Sequence, residues 1–399
     1  MPVRLSGPGD FTRRAPTTGN RSASMSIEKR CSHVIYVAFA IPEVNSPDLL
    51  VTDGEMPMSY SRISLLLLVG VAVMSISSEG QAGNHASAVL LVANKGDRTL
   101  GIVDPNAGRQ VGTVAEEGTT GHEVVASPDG RRAYVPIYGN SGVGLPGTDG
   151  RNLVVVDIAA RKVIGNVDFG HGVRPHCAVM GPKDGLLYVT TELDKTISII
   201  DPLRLKIVGT IPTGQPESHM LAISPDGRRG YTANVGPGTV SVLDMEARKE
   251  IAVIPVAALI QRISVSVDGR LAFTSDQKKP QLAVIDTATN AIAKWIPLPA
   301  AGYGTADTPD GRWLVVAMPT GNKVAVVDLH AMKVAHVIDV PAAPQEILIR
   351  PDGQIAYASC DASHKIAAIR TSDWSVEKLI DVGAGADGLA WAAAEASGH

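Results

Sequence analysis

From Gly121 to the C-terminus, short apolar runs alternate with turn residues in a fixed order. Residues 221–255 show one unit: LAIS, Pro-Asp-Gly, RGYTAN, a short loop, TVSVLD, a turn and KEIAVIP. Alternating, β-branched runs bounded by Gly, Pro, Asn and Asp predict strands. The Asp-Gly pair predicts a tight hairpin, because glycine tolerates positive φ. Four antiparallel strands per unit make a propeller blade. Asp226, Asp268, Asp310 and Asp352 follow one another at intervals of 42 residues, and Asp129 and Asp184 are earlier members of the series. A period of this size built from strands alone means blades copied around an axis.

The strand that ends in Asp gives the count. It recurs at Asp104, Asp157, Asp201, Asp244, Asp286 and Asp328, and a seventh copy, AAIR, ends at Arg370. The first copy begins at VLLVAN (residues 89–94) and lacks an innermost strand, while DGLAWA (387–392) is a spare one at the other end. These features predict an all-β fold: a seven-bladed β-propeller of four-stranded antiparallel blades over residues 88–392. One C-terminal and three N-terminal strands close the ring, and residues 393–399 form a tail. Such closure pairs the free edges.

Upstream, residues 63–76 read ISLLLLVGVAVMSI, preceded by Arg62 and followed by SSEGQAG. A run of this length is short for a membrane span and suits a signal-peptide core. We therefore expect a signal peptide over 56–83, with initiation at Met56 or Met58, cleavage near Ala82, and residues 1–55 as a non-native upstream extension. An uncleaved anchor with a cytoplasmic tail is the alternative. Either reading places the propeller outside the cytoplasm, in the periplasm or secreted, with no integral span in the mature chain.

Composition narrows the function classes. The net charge is −4 with signs interspersed, and 4% of residues are aromatic. There is no basic stripe, so nucleic acid is not an expected partner. Of the three cysteines, Cys31 precedes the leader, and Cys177 and Cys360 fall in blades too far apart to bridge. No Cys-x-x-Cys-His is present, so covalent c-type haem is not expected. No zinc-finger spacing or P-loop occurs.

The strings LLVANKGDRTLGIVD, YVTTELDKTISIID and SPDGRRGYTAN resemble the YVTN β-propeller repeats of bacterial periplasmic and surface proteins (YncE-like). The resemblance covers residues 88–392 and implies the fold. Related propellers include the haem domain of cytochrome-type nitrite reductases and the N-terminal domain of nitrous-oxide reductase. Fold analogy does not confer a function.

Departures from the repeat carry the functional signal. Seven residues before the hairpin Asp, at the start of each innermost strand, stand His122, His219, Gln261, Tyr303 and Gln345, and His176 stands eight before its Asp. The tail places Asp387 at the equivalent position. Innermost strands line the axis, so these positions predict a polar ring, with three imidazoles from consecutive blades able to converge on one ion. The expected cofactor is a transition metal (Cu, Fe or Zn) on His122, His176 and His219, without covalent haem. Gln261, Tyr303, Gln345 and Asp387 would line the ligand funnel. Glu123, Arg174, Glu217 and Glu346 flank the ring. A carboxylate there could orient a histidine or act as a base, and Arg174 could clamp an anion. Each can equally be a solvated loop charge, and each histidine can simply bind water or a carbonyl.

Residues 138–151, YGNSGVGLPGTDGR, are longer than the matching loop elsewhere. They suggest a lid that brings Tyr138, Asn140 and Asp149 to a ligand, or a tolerated insertion. Cys360, Asp361 and His364 form a smaller rim cluster, expected to be structural. The tryptophans and hairpin Asp residues read as packing and turn formers. Two functions remain open. One is an extracytoplasmic binding protein or metal-dependent enzyme with a small-molecule site on the axis. The other is a non-catalytic scaffold for a protein partner. Non-covalent haem is a third idea, marked by a Soret band. A monomer is expected.

Overall fold

The computed structural model describes residues 88–116, 120–140 and 142–393. The expected leader, the upstream extension and most of the tail lie outside these residues. Seven four-stranded antiparallel sheets form seven blades, and the only helices among the described residues are two single 3-10 turns. Blade 1 runs Ala386–Ala392, Val89–Asn94, Thr99–Asp104 and Arg109–Ala115 from the axis outward. The last strand thus pairs with the first, with Val89 opposite Ala392 and Leu91 opposite Ala390. Gly388 lies at this seam: a Cβ there would stand 2.5 Å from Glu123 Oε2 and 2.8 Å from the His122 carbonyl oxygen.

The expected hairpins form because their glycines take positive φ; Gly227, Gly269 and Gly353 lie at +72° to +73°. The terminal Asp residues cap the outer turns, as when Asp201 Oδ1 accepts the N–H groups of Leu203 and Arg204 at 2.9 Å each. Leu, Ile and Val on the two faces of each sheet pack against neighbouring blades in several buried clusters. Cys177 and Cys360 are both buried and free. Cys177 faces the next blade, with Sγ 3.6 Å from the Leu221 carbonyl oxygen. Trp313 and Trp374 meet across blades 6 and 7, their rings 5.8 Å apart.

One local feature positions the site. The innermost strands begin irregularly. In blades 3, 4 and 7 the register slips at Pro175/Ala178, Ser218/Met220 and Pro344/Ile347. In blades 2 and 5 the strand is cut to Val125–Ala126 and Ser264–Val265. Just ahead of the ring, Arg174, Glu217 and Ala343 adopt φ of 51°, 55° and 58°. This left-handed turn swings each chain onto the axis. A bulge also breaks the two-residue alternation, so adjacent side chains can both face inward.

Candidate functional site

The ring positions do converge on the axis. His176 and His219 stack with ring centroids 3.5 Å apart, and His122 lies 5.4 Å from His176 and 5.0 Å from Tyr138. His176 and His219 are 2% and 1% exposed; His122 is half-buried. Burial keeps all three imidazoles neutral. It pushes His122 down to about 4 and His176 well below the usual histidine range, the neighbouring imidazoles adding to the effect on His176. His219 is lowered as well, since its burial outweighs the carboxylate of Glu192 beside it.

The nitrogens are used differently. Glu192 Oε2 lies 3.2 Å from His219 Nδ1 and accepts the Tyr138 hydroxyl at 2.8 Å. A carboxylate can only accept, so Nδ1 of His219 carries the proton. Its Nε2 then accepts from the Gln261 amide at 3.1 Å. Both nitrogens of His219 are thereby engaged. His176 differs: its Nδ1 is buried with no hydrogen-bond partner.

Beside the imidazoles lies an ion cluster around Arg262, which is 4% exposed. Its guanidinium contacts Glu123 from blade 2 at 2.7 Å, Asp387 from blade 1 at 2.8 Å, and Glu346 from blade 7. Tyr303 from blade 6 lies face-on, 5.0 Å from ring centroid to guanidinium. Lys95 adds a second cation, 3.1 Å from Asp387 and 3.2 Å from Asp361. The three carboxylates do not share this charge equally. Burial raises Glu123 well above the usual range despite Arg262, and raises Glu346 too. Asp387, flanked by both Arg262 and Lys95, is held below its ordinary value against the cost of its burial.

Several expected residues take other roles. Arg174 does not present an open anion clamp. Its Nε donates to Asp149 at 2.6 Å and its Nη2 to the Leu145 carbonyl oxygen at 2.7 Å, so it pins the insertion down. Glu217 accepts the Gly236 N–H at 2.6 Å, beside the insertion rather than on the axis. Gln345 is half-buried, its amide 3.5 Å from the Ala343 carbonyl oxygen. Asp361 joins the axial ion cluster, and His364 Nδ1 accepts the Gly385 N–H at 3.2 Å. Arg262, Lys95 and Glu192 were not anticipated. Lys95 and Glu192 share a repeat position, the first residue after the second strand. Tyr138 and Asp361 stand nine residues after their hairpin Asp, and Glu192 eight after its own. A second alignment at that offset would have found this outer ring.

Fold and geometry define the chain as a seven-bladed propeller with a polar, imidazole-rich centre. Residues 147–350, just over half of the chain, match the model of the cytochrome D1 heme domain family. The chain belongs to that family. Among solved structures it is similar to the hydrazine synthase of Kuenenia stuttgartiensis, with TM-score 0.63 and 19% identity over 71% of this chain and 92% of that one. It is also similar to the dihydro-heme d1 dehydrogenase NirN in complex with DHE, with TM-score 0.56 and 15% identity over 75% of this chain and 74% of that one. At these identities the likeness shows the fold. No curated protein matches the chain.

The expected cofactor, a transition-metal ion (Cu, Fe or Zn) on His122, His176 and His219 without covalent haem, is corrected by these findings. The match to a heme-domain family points to a heme-type cofactor instead. Among the described residues no group of three or more His, Cys, Asp or Glu side chains is arranged to hold an ion. His176 and His219 stack on one another rather than aim at a common point. No helix among the described residues is long and apolar enough to cross a membrane.

Proposed function

We propose that this chain binds a heme-type cofactor at the axial mouth, with an imidazole of His122 or His176 presented to the iron. The observation that carries the reading is the state of those imidazoles. Burial holds both neutral, so a ring lone pair is available at physiological pH, and Nδ1 of His176 is buried without a partner. Histidine is a common axial ligand of heme iron. The donor set therefore fits the group that the family implies. His219 would serve as a wall, its two nitrogens being taken by Glu192 and Gln261. A bound heme would supply redox or ligand-binding chemistry at its iron. The chain's own residues would hold the imidazoles neutral, and Arg262 with its carboxylates would fill the axis beside them. Gln261, Tyr303 and Asp387 would line the site as funnel residues.

The apolar run at residues 63–76 supports an exported, periplasmic location. The YVTN-type strings support a common repeat ancestry with that family. The test of cofactor binding is an absorbance spectrum of protein purified without a polyhistidine tag, then titrated with heme. A saturable Soret band at one equivalent supports the reading. Featureless addition of free heme removes it and leaves a scaffold for protein partners.

A further inference from the structure

A second site lies to the side of the axis, under the insertion of blade 2. There Gly144, Leu145 and Pro146 roof a cleft of about 340 Å³, within the size range of small-molecule sites. Its wall holds Glu192, which is 2% exposed. One carboxylate oxygen of Glu192 accepts from Tyr138 and His219, while the other, Oε1, is buried without a hydrogen-bond partner. Arg174 is the nearest cation, at 3.6 Å from Oε1, and it is already committed to Asp149 and Leu145. Oε1 thus has an ion-pair contact with Arg174 and no hydrogen bond, and a donor placed on it forms a charge-assisted bond.

The rest of the cleft suits a small cation with an apolar body. Leu193 and Pro216 join Leu145 and Pro146 as apolar walls, and Glu217 adds a second carboxylate. Glycine shapes this end. A Cβ on Gly144 would stand 2.7 Å from Glu217 Oε1, and one on Gly236 2.5 Å from Oε2. Two cations oppose an ammonium here, Lys195 at the rim and Arg174 beside Glu192, although Arg174 is held by Asp149 and Leu145.

We infer that the cleft beneath the insertion binds a small organic ammonium ion, its N–H groups on Glu192 and its carbon chain against Leu145, Leu193 and the prolines. Glu192 also holds His219 on the axis, so the cleft is tested in cofactor-free protein, where the outcome does not depend on heme. Butylammonium is the probe, with 1-butanol as its neutral match and butyrate as its anionic one, each titrated by calorimetry or ligand-observed NMR. Saturable butylammonium binding is expected, with both controls weaker. Glu192→Gln keeps the shape and should weaken butylammonium at least about tenfold, the scale of one charge-assisted hydrogen bond. Lys195→Glu, at an exposed position, should strengthen it and decides the matter should the Glu192 variant fail to fold. Absence of saturable binding, a preference for butyrate, or affinity unmoved by both substitutions overturns the inference.

Discussion

Replacing Arg262 by alanine removes the cation that two buried carboxylates, Glu123 and Asp387, share with the half-buried Glu346. Glu123 would lose its only cationic partner in the cluster, Glu346 likewise, and Asp387 would keep Lys95. Breaking a buried pair from one side costs about 3–5 kcal/mol, since the stranded charge must be neutralised or stay unpaired. With an unfolding entropy of about 2 cal/mol/K per residue, a propeller spanning Val89–Ala392 should lose roughly 5–8 °C in Tm. The deficit should depend on pH with a fixed sign. Glu123 and Glu346 already have raised folded pKa values. Without Arg262 they rise further, so the folded state binds more protons than the unfolded one. The variant's stability should therefore fall as pH rises from 5 to 8, and its deficit against wild type should shrink toward acid. Circular-dichroism melts at pH 5, 6.5 and 8 measure this. A loss under 2 °C, or one that grows toward acid, would refute the view that Arg262 neutralises a shared carboxylate cluster.

Other outcomes follow from the same geometry. The half-buried His122 has a folded pKa of about 4, below its unfolded value, so its contribution to stability is present above pH 6.5 and lost as pH falls toward 4. Acid melts of His122→Gln should fall less steeply over that window than those of wild type. Gly388→Ala places a Cβ within 2.5 Å of Glu123 Oε2 and 2.7 Å of its Cα, at the seam where the last strand closes the ring. It should lower Tm and raise proteolytic release of the C-terminal strand, both readable in one limited digestion series.

The fold was legible because a period of 42 residues survives the divergence of side chains. Asp-Gly hairpins and Asp-terminated strands fix blade number and register without reference to packing. The spare C-terminal strand was legible too, since blade 1 lacks a partner of its own. The polar ring followed from register. What alternation hid was the next residue in the chain. Arg262, after Gln261, should face away in a regular strand, but blade 5 has no regular strand until Ser264. Glu123 and Glu346 were visible as flanking charges, yet nothing local distinguished a solvated loop charge from half of a buried ion pair. That distinction needs partners from blades 2, 5 and 7 at once. The cofactor was misjudged for a related reason. Three histidines in register look like a chelate, whereas stacking of His176 on His219 and the Glu192 hydrogen bond are set by packing in three dimensions.

The most direct test compares heme binding by wild type with that of His122→Ala, His176→Ala and His219→Ala, by Soret titration of tag-free protein. Loss of affinity by about tenfold or more, with a shifted band, is expected for His122→Ala or His176→Ala, since removing an axial ligand exposes the iron to a weaker one. His219→Ala should change affinity less than the variant of the ligating residue. Four identical titrations, or no saturable binding by wild type, would contradict a heme site built on this axis.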